Sequence, residues 1–254
     1  MNREKAGDNM STFIFNGISS DNLGLIITTP MIRPTWQPER EFTAIPGRPQ
    51  QSSHEKQWHP NAELTAYAVI TDASAEKLHD IYAALRGYGV LSISTAPDEI
   101  LYAFAHLPVP EAKALLMAEL PIVFECEPFA YSAQEKTVDI TETNPYKRVD
   151  VEGTVFCDPM IEFVPSQAST DINCNGKVIQ VKTPQEIIGA GYPDTYSITL
   201  DCDAQLAYYT RPSGDKVACT ELTKGPFPRL HVADNYIINS GVQSAEIRYR
   251  ERWY

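Results

Sequence analysis

Basic side chains, paired cysteines and long apolar runs are all scarce in this chain, and each scarcity removes a class of function. Its 254 residues carry 21 Lys and Arg against 33 Asp and Glu, a net charge of −12. Nine basic residues face 16 acidic ones up to Ala133, and 12 face 17 after it. Neither half is built for nucleic acid, because a phosphate-binding surface needs clustered cations to displace condensed counterions. No run approaches the roughly 20 apolar residues of a membrane helix. Five cysteines is an odd number, and none sits in a CxxC pair, so disulfide-framework, redox and thiolate-metal readings are weak. Cys126 alternates with Phe124, Cys174 with Ile172, and Cys202 with Leu200 and Ile198, the pattern of a small buried hydrophobe. Met1 to Asn9 are polar with no apolar stretch behind them to make a signal peptide. The protein is therefore expected to stay in the cytosol where it is made, with Met10 as the expected native start.

Catalytic motifs are missing too. There is no GxSxG elbow, HExxH helix, phosphate loop or GxGxxG turn. The five histidines, His54, His59, His79, His106 and His231, are scattered without partners at ligand spacing. No catalytic, cofactor-binding or metal-binding residue is assigned, no cofactor is expected, and the chain is expected not to be an enzyme. Glu125 with Glu127 and Asp201 with Asp203 are i, i+2 pairs that a glycosidase would need roughly 5 to 5.5 Å apart. An alternating strand needs polar residues on its wet face in any case, which accounts for both pairs without chemistry.

What is present is period-two alternation. Ser197-Ile198-Thr199-Leu200-Asp201-Cys202-Asp203 is apolar on one side and polar on the other, as strands of antiparallel sheets are. Asn175-Gly176 between Asp171–Cys174 and Lys177–Val181 predicts a two-residue hairpin that pairs Ile172 with Ile179. Pro212 to Asp215 predicts a second turn, between Ala207–Tyr209 and Val217–Cys219. Tyr208 and Tyr209 adjoin on a strand, so one of them faces the core. A helix is predicted over 75–86, where Leu78, Ile81, Tyr82 and Leu85 share a face, Asp72 or Ser74 caps the start, and Gly87 and Gly89 end it. A second, shorter helix is predicted over Glu111–Glu119.

Two stretches read as connectors. From Pro30 to Pro60 there are six prolines together with Trp36 and Trp58, a density that excludes a central strand because proline cannot donate to a ladder. Within it Glu41–Ile45 is strand-like and Pro46-Gly47 fits the centre of a type II turn. These features predict an extended hairpin arm projecting from the body. The polar stretch after Tyr131 sets a domain boundary near Ala133, giving domains 1–133 and 134–254 in a mainly β chain. At the end, Arg248, Arg250 and Arg252 alternate with Ile247, Tyr249 and Glu251, three guanidiniums on one strand face that make a solvated face or a docking stripe for an acidic partner.

Three blocks carry a family resemblance. The first runs from Phe15-Asn16-Gly17-Ile18 through Leu23-Gly24-Leu25-Ile26-Ile27 to Arg33 and Ile45-Pro46-Gly47-Arg48. The second is Phe124-Glu125-Cys126-Glu127-Pro128-Phe129-Ala130-Tyr131. The third joins Ile198–Asp203, Gly225-Pro226-Phe227-Pro228, Asn235 and Ile247–Trp253. In this order the chain resembles the distal tail protein family of long-tailed bacteriophages. It departs from the family where Pro49 follows the IPGR block and where Asp234 precedes Asn235.

The resemblance implies an α+β N-terminal domain, a β-sandwich with one helix and a protruding hairpin, and a C-terminal galectin-like β-sandwich. It implies a virion protein of the tail tip or baseplate, assembled in the host cytoplasm as a homo-hexameric ring. The implied partners are the tail tube protein, a tail-associated lysin or tail fibre hub, and receptor-binding proteins, with no nucleic acid and no membrane. Arg33, Trp36, Phe42, Ile45, Pro46, Gly47, Arg48 and Trp58 are the expected inter-subunit contacts of the arm. The alternative from another class is a glycan-binding module for host-wall recognition, and a wall hydrolase is a third.

Overall fold

The computed structural model describes residues 11–36, 40–44, 46, 52–55, 59–107, 109–114 and 117–254. Its contacts divide the chain into two compact units, Met1–Ala133 with Tyr254, and Gln134–Trp253. The fold is mainly β.

In the first unit the strands are β1 (Phe13–Phe15), β2 (Ile18–Ser19), β3 (Leu25–Ile27), β4 (Arg40–Thr43), β5 (Ser52–Glu55) and β6 (Ala62–Ile70). After helix α1 (Ala75–Ala84) come β7 (Gly87–Ile93), β8 (Ala96–His106), β9 (Glu111–Ala114), β10 (Met117–Cys126) and β11 (Ala130–Ser132). An antiparallel sheet runs β2-β1-β7-β8-β10-β6-β3, with β9 beside β10 and β11 beside β8. Alternation decides which face is dry: Leu64, Ala66, Ala68 and Ile70 of β6 and Leu120, Ile122, Phe124 and Cys126 of β10 are all buried. Phe124 meets Phe13 edge-to-face, ring centroids 5.2 Å apart, a geometry that the ring quadrupoles favour. The Ser74 hydroxyl caps α1 by accepting the Lys77 N–H at 3.4 Å, and Ile81 and Leu85 seal the helix onto the core. Gly89 has no room for a side chain, since a Cβ there would lie 2.1 Å from Asn16 Oδ1.

The helix expected over Glu111–Glu119 is not formed. Glu111–Ala114 are β9 and Met117–Glu119 begin β10, paired Ala112 with Ala118 and Glu111 with Glu119. The inward alternation of Ala118, Leu120, Ile122 and Phe124 continues through β10, and burying that face outweighs the local helix propensity of Ala and Leu. Pro121 is tolerated within β10 because it falls between the residues paired to β9, which end at Glu119, and those paired to β8, which begin at Val123.

The second unit packs one sheet on another. Its strands are β12 (Lys136–Thr141), β13 (Tyr146–Val151), β14 (Met160–Pro165), β15 (Ser169–Cys174) and β16 (Lys177–Lys182). A short helix α2 (Gln185–Gly189) precedes β17 (Ser197–Asp201), β18 (Leu206–Thr210), β19 (Lys216–Ala218), β20 (Thr223–Lys224), β21 (Ala233–Ser240) and β22 (Val242–Tyr249). One sheet runs β12-β22-β14-β17-β18-β19 and the other β13-β21-β15-β16-β20. Ile161, Phe163, Ile198, Leu200 and Ile247 of the first and Ile172, Ile179, Val181 and Ile237 of the second are buried in one cluster, as sandwich packing requires. Asn175 and Gly176 have φ of +53° and +83° and form the two-residue turn that pairs Ile172 with Ile179. The Pro212–Asp215 turn joins β18 to β19 with Tyr209 opposite Val217. All five cysteines are free and buried.

Candidate interaction site

The same alternation that fills the first core leaves the other side of the sheet to solvent, and there it assembles an aromatic and carboxylate surface. Across the strands, Tyr88 of β7 lies opposite Phe104 of β8. Phe104 lies opposite Glu125 of β10, and Glu125 opposite Glu63 of β6. Cross-strand neighbours sit close enough for their side chains to interact. Tyr88 and Tyr102 stack at 6.2 Å with 6° between the rings, and Tyr131 meets Tyr102 edge-on at 5.0 Å. Tyr88 is 54% exposed and Phe104 43%.

The carboxylates are held in place. Tyr88 Oη donates to Glu127 Oε1 at 2.7 Å. Asn61 Nδ2 donates to Glu125 Oε1 at 2.9 Å, and His106 Nε2 lies 3.1 Å from Glu125 Oε2. The hydrogen bonds from Asn61 and then His106 hold the Glu125 carboxyl below its usual range. Burial, followed by the bond to Glu127, pushes the Tyr88 phenol up. Together Asn61, Tyr88, Phe104, His106, Glu125 and Glu127 line an open depression of about 420 Å³. Fixed acceptors beside exposed rings can bind a cation or a guanidinium. Glu125 is shifted in the opposite direction from a glycosidase acid, whose pKa is raised. Alternation marked Glu125 and Glu127 in the sequence. Tyr88, Phe104, His106 and Asn61 join them only through strand register.

The residues expected on the arm are divided by the structure. Trp36 is 4% exposed and packs in the first core, with its indole N–H lacking a partner among the described residues. Arg33 Nε lies 3.2 Å from Glu99 Oε2. Phe42 is on β4, which pairs with β5 in a separate two-stranded hairpin, and it is 62% exposed. Arg40, Glu41 and Thr43 are exposed as well, so neither face of β4 is buried. Pro46 is exposed in the turn. Ile45, Gly47, Arg48 and Trp58 lie outside the described residues.

The three C-terminal arginines do not form a free stripe. Arg248 pairs with Glu162 at 2.9 Å and with Glu246 at 3.1 Å, and Arg250 lies 3.9 Å from Glu135. Arg252 is buried against Asp158 and Asp203, at 2.8 and 3.1 Å. β22 ends at Tyr249, so the alternation that put the guanidiniums on one face stops there. Of the adjacent tyrosines, Tyr209 is in the core and donates to Glu186 at 2.8 Å, while Lys216 Nζ sits 4.7 Å over the outward Tyr208 ring. On the outer face of the second sheet, Tyr146 and Tyr236 stack at 5.9 Å, both nearly half exposed. Among the described residues no group of three His, Cys, Asp or Glu is arranged to hold a metal ion, and no helix is long and apolar enough to cross a membrane.

A fold of two such units has a solved counterpart. In fold, this chain is similar to the SPP1 Dit protein. That protein, gp 19.1, is described as a paradigm of the hub adsorption apparatus in phages infecting Gram-positive bacteria. The likeness has a TM-score of 0.74 and covers 97% of this chain and 100% of that one, at 16% identity. At that identity it is a likeness of fold, and fold by itself does not assign function. No family model and no curated protein matches the sequence.

Proposed function

We propose that this protein is a structural component of a phage tail tip or baseplate, a virion protein assembled in the host cytoplasm that closes into a hexameric ring. The observation that carries the reading is the end-to-end fold likeness to SPP1 Dit, a hub adsorption protein, with both chains covered almost completely. The exposed hairpin adds to it, because β4 presents Phe42 with no covering surface of its own and a head-to-tail contact closes into a ring when the rotation permits. In this role the ring joins the tail tube protein to a tail-associated lysin or fibre hub, with receptor-binding proteins at its side. The chain carries no catalytic task in it. Electron microscopy of the purified protein tests the reading: six-fold rings are expected, and single copies at every concentration would overturn it. Deleting residues 38–58 should leave both units folded and abolish the ring. Turnover of purified cell wall that is lost on changing Glu125 or Asp201 would replace the structural reading with a hydrolase.

The stacked Tyr146 and Tyr236 favour a second reading, glycan binding through the second unit, since exposed aromatic faces also stack on sugar rings. A glycan array on the intact protein separates the two, and loss of a signal in Tyr236→Ala would assign the binding to that platform.

A further inference from the structure

The outer face of the first sheet carries negative charge that its described neighbours do not balance. Glu63 and Glu125 lie directly opposite each other on β6 and β10, an arrangement in which like charges disfavour the strand pair. Glu127 adds a third carboxylate. It accepts from Tyr88 with Oε1, and its Oε2 has no hydrogen-bond partner among the described residues. The described residues that line the depression include no lysine or arginine, and His106, on Glu125, is the one among them able to take a positive charge. Beside these acceptors the rings of Tyr88 and Phe104 are exposed. A guanidinium suits such a place, because it stacks flat on a ring while its fork of N–H donors reaches carboxylate oxygens at its edge.

The surface beside the depression points to a protein as the source of that group. Along the same face of β6 and β10, Val123 lies opposite Thr65 and Pro121 opposite Tyr67. Tyr67 is exposed, and Val123 and Pro121 are partly so. They make an apolar strip that a free cation would leave uncovered and a peptide segment would bury. Charge favours a different protein over a second copy. This chain has a net charge of −12, so another copy brings the same excess of acid, whereas a basic partner is complementary. Of its own arginines, Arg33, Arg148, Arg211, Arg229, Arg248 and Arg252 are already engaged by carboxylates of the same chain.

We infer that the Tyr88, Phe104, Glu125 and Glu127 depression receives an arginine side chain of a different, basic protein, whose apolar residues beside that arginine lie on the Val123, Pro121 and Tyr67 strip. The guanidinium stacks on the exposed rings, donates to the Glu127 and Glu125 carboxylates and relieves the repulsion between Glu125 and Glu63. This does not rest on the ring reading, since it concerns one chain and its ligand.

Nuclear magnetic resonance of the full-length chain with isotope-labelled tyrosine tests this, the Tyr88 signal being identified by its loss in Tyr88→Phe. The probes are a blocked peptide, acetyl-Leu-Arg-Leu-Val-amide, the same peptide with neutral citrulline in place of arginine, and free N-acetyl-argininamide. The arginine peptide is expected to shift the Tyr88 signal saturably. Replacing its arginine by citrulline, or using the Glu125→Gln with Glu127→Gln chain, should weaken binding about tenfold, as loss of a charge-assisted hydrogen bond does. Tyr67→Ser is expected to weaken the peptide and leave N-acetyl-argininamide unaffected. Absence of a saturable shift, equal binding of the citrulline peptide, or undiminished binding to the double glutamine variant overturns the inference. If N-acetyl-argininamide binds as tightly as the peptide, the strip plays no part and the ligand is a small free cation, which overturns the protein source. If the peptide converts a multi-copy species to single copies in light scattering, the depression is filled by a second copy and the inference falls. Should the double glutamine variant not fold, Glu127→Gln alone, which leaves the Asn61 and His106 contacts with Glu125 in place, is read in the same way. A wild type that is a single copy at every concentration removes the ring reading and leaves this titration as it stands.

Discussion

Lys136 and Glu251, 115 residues apart in sequence, meet at 2.7 Å, and the Glu251 carboxylate that accepts this bond is almost wholly buried. The same Oε1 accepts the Glu152 backbone N–H at 2.9 Å. The pair ties the first strand of the second unit to the end of the chain. Glu251→Ala removes both bonds, and because Lys136 is partly exposed its ammonium can return to water. Hydrogen bonds to charged groups contribute about 1.5–3 kcal/mol, so the expected loss is about 2 kcal/mol, read as a lower denaturant midpoint. The bond to Glu251 holds the Lys136 pKa above its usual value. Its contribution is therefore complete below about pH 10.4, the ordinary lysine value, and fades as pH rises through the higher folded one.

The thiols are expected to be silent in the native state. Burial pushes Cys126 up to about 12 and Cys157 and Cys219 up to about 11, and the thiolate is the reactive form. A colorimetric thiol reagent at pH 8 should find essentially none of the five cysteines until guanidinium unfolds the chain, and all of them afterwards. Fast labelling of a native cysteine would mean that one of the two cores opens readily.

At the depression, Asn61→Leu removes the main cause of the lowered Glu125 pKa, so the carboxyl should titrate at higher pH, as followed by side-chain NMR. The sign follows from linkage: a depressed carboxyl contributes stability above the ordinary glutamate value of about 4.3, and that contribution is lost as pH falls through the folded pKa. An unchanged Glu125 titration would mean that the Asn61 bond is not formed in solution.

Phe124 touches Phe13 and Phe15 in the first core and has no exposed surface. Phe124→Ala should cost about 3–5 kcal/mol, the range for deleting a buried aromatic. Calorimetry of the full chain is expected to register this as a lowered transition for the first unit, with the second unit's transition unmoved. A single transition shifted as a whole would instead mean that the units unfold together.

Local pattern was enough to assign the inward face of several elements of this chain. The faces of the 75–86 helix, the Asn175-Gly176 hairpin with its Ile172–Ile179 pairing, and the burial of Cys126, Cys174 and Cys202 all follow from periodicity and turn stereochemistry, because one residue's choice of face depends on its near neighbours. Partners distant in sequence were decided only by tertiary structure. Glu111–Glu119 has helical composition, yet Glu111–Ala114 and Met117–Glu119 are strand, since an extended β10 buries a dry face that an isolated helix there could not. Trp36 reads as part of the arm and is core. Arg252 leaves the outward alternation once β22 ends, where ion pairs with Asp158 and Asp203 set its place. The depression of Tyr88, Phe104, Glu125 and Asn61 draws on residues spread from 61 to 125, and register between strands with no tight turn joining them, as between β8 and β10, which local pattern does not encode, is what brings them side by side.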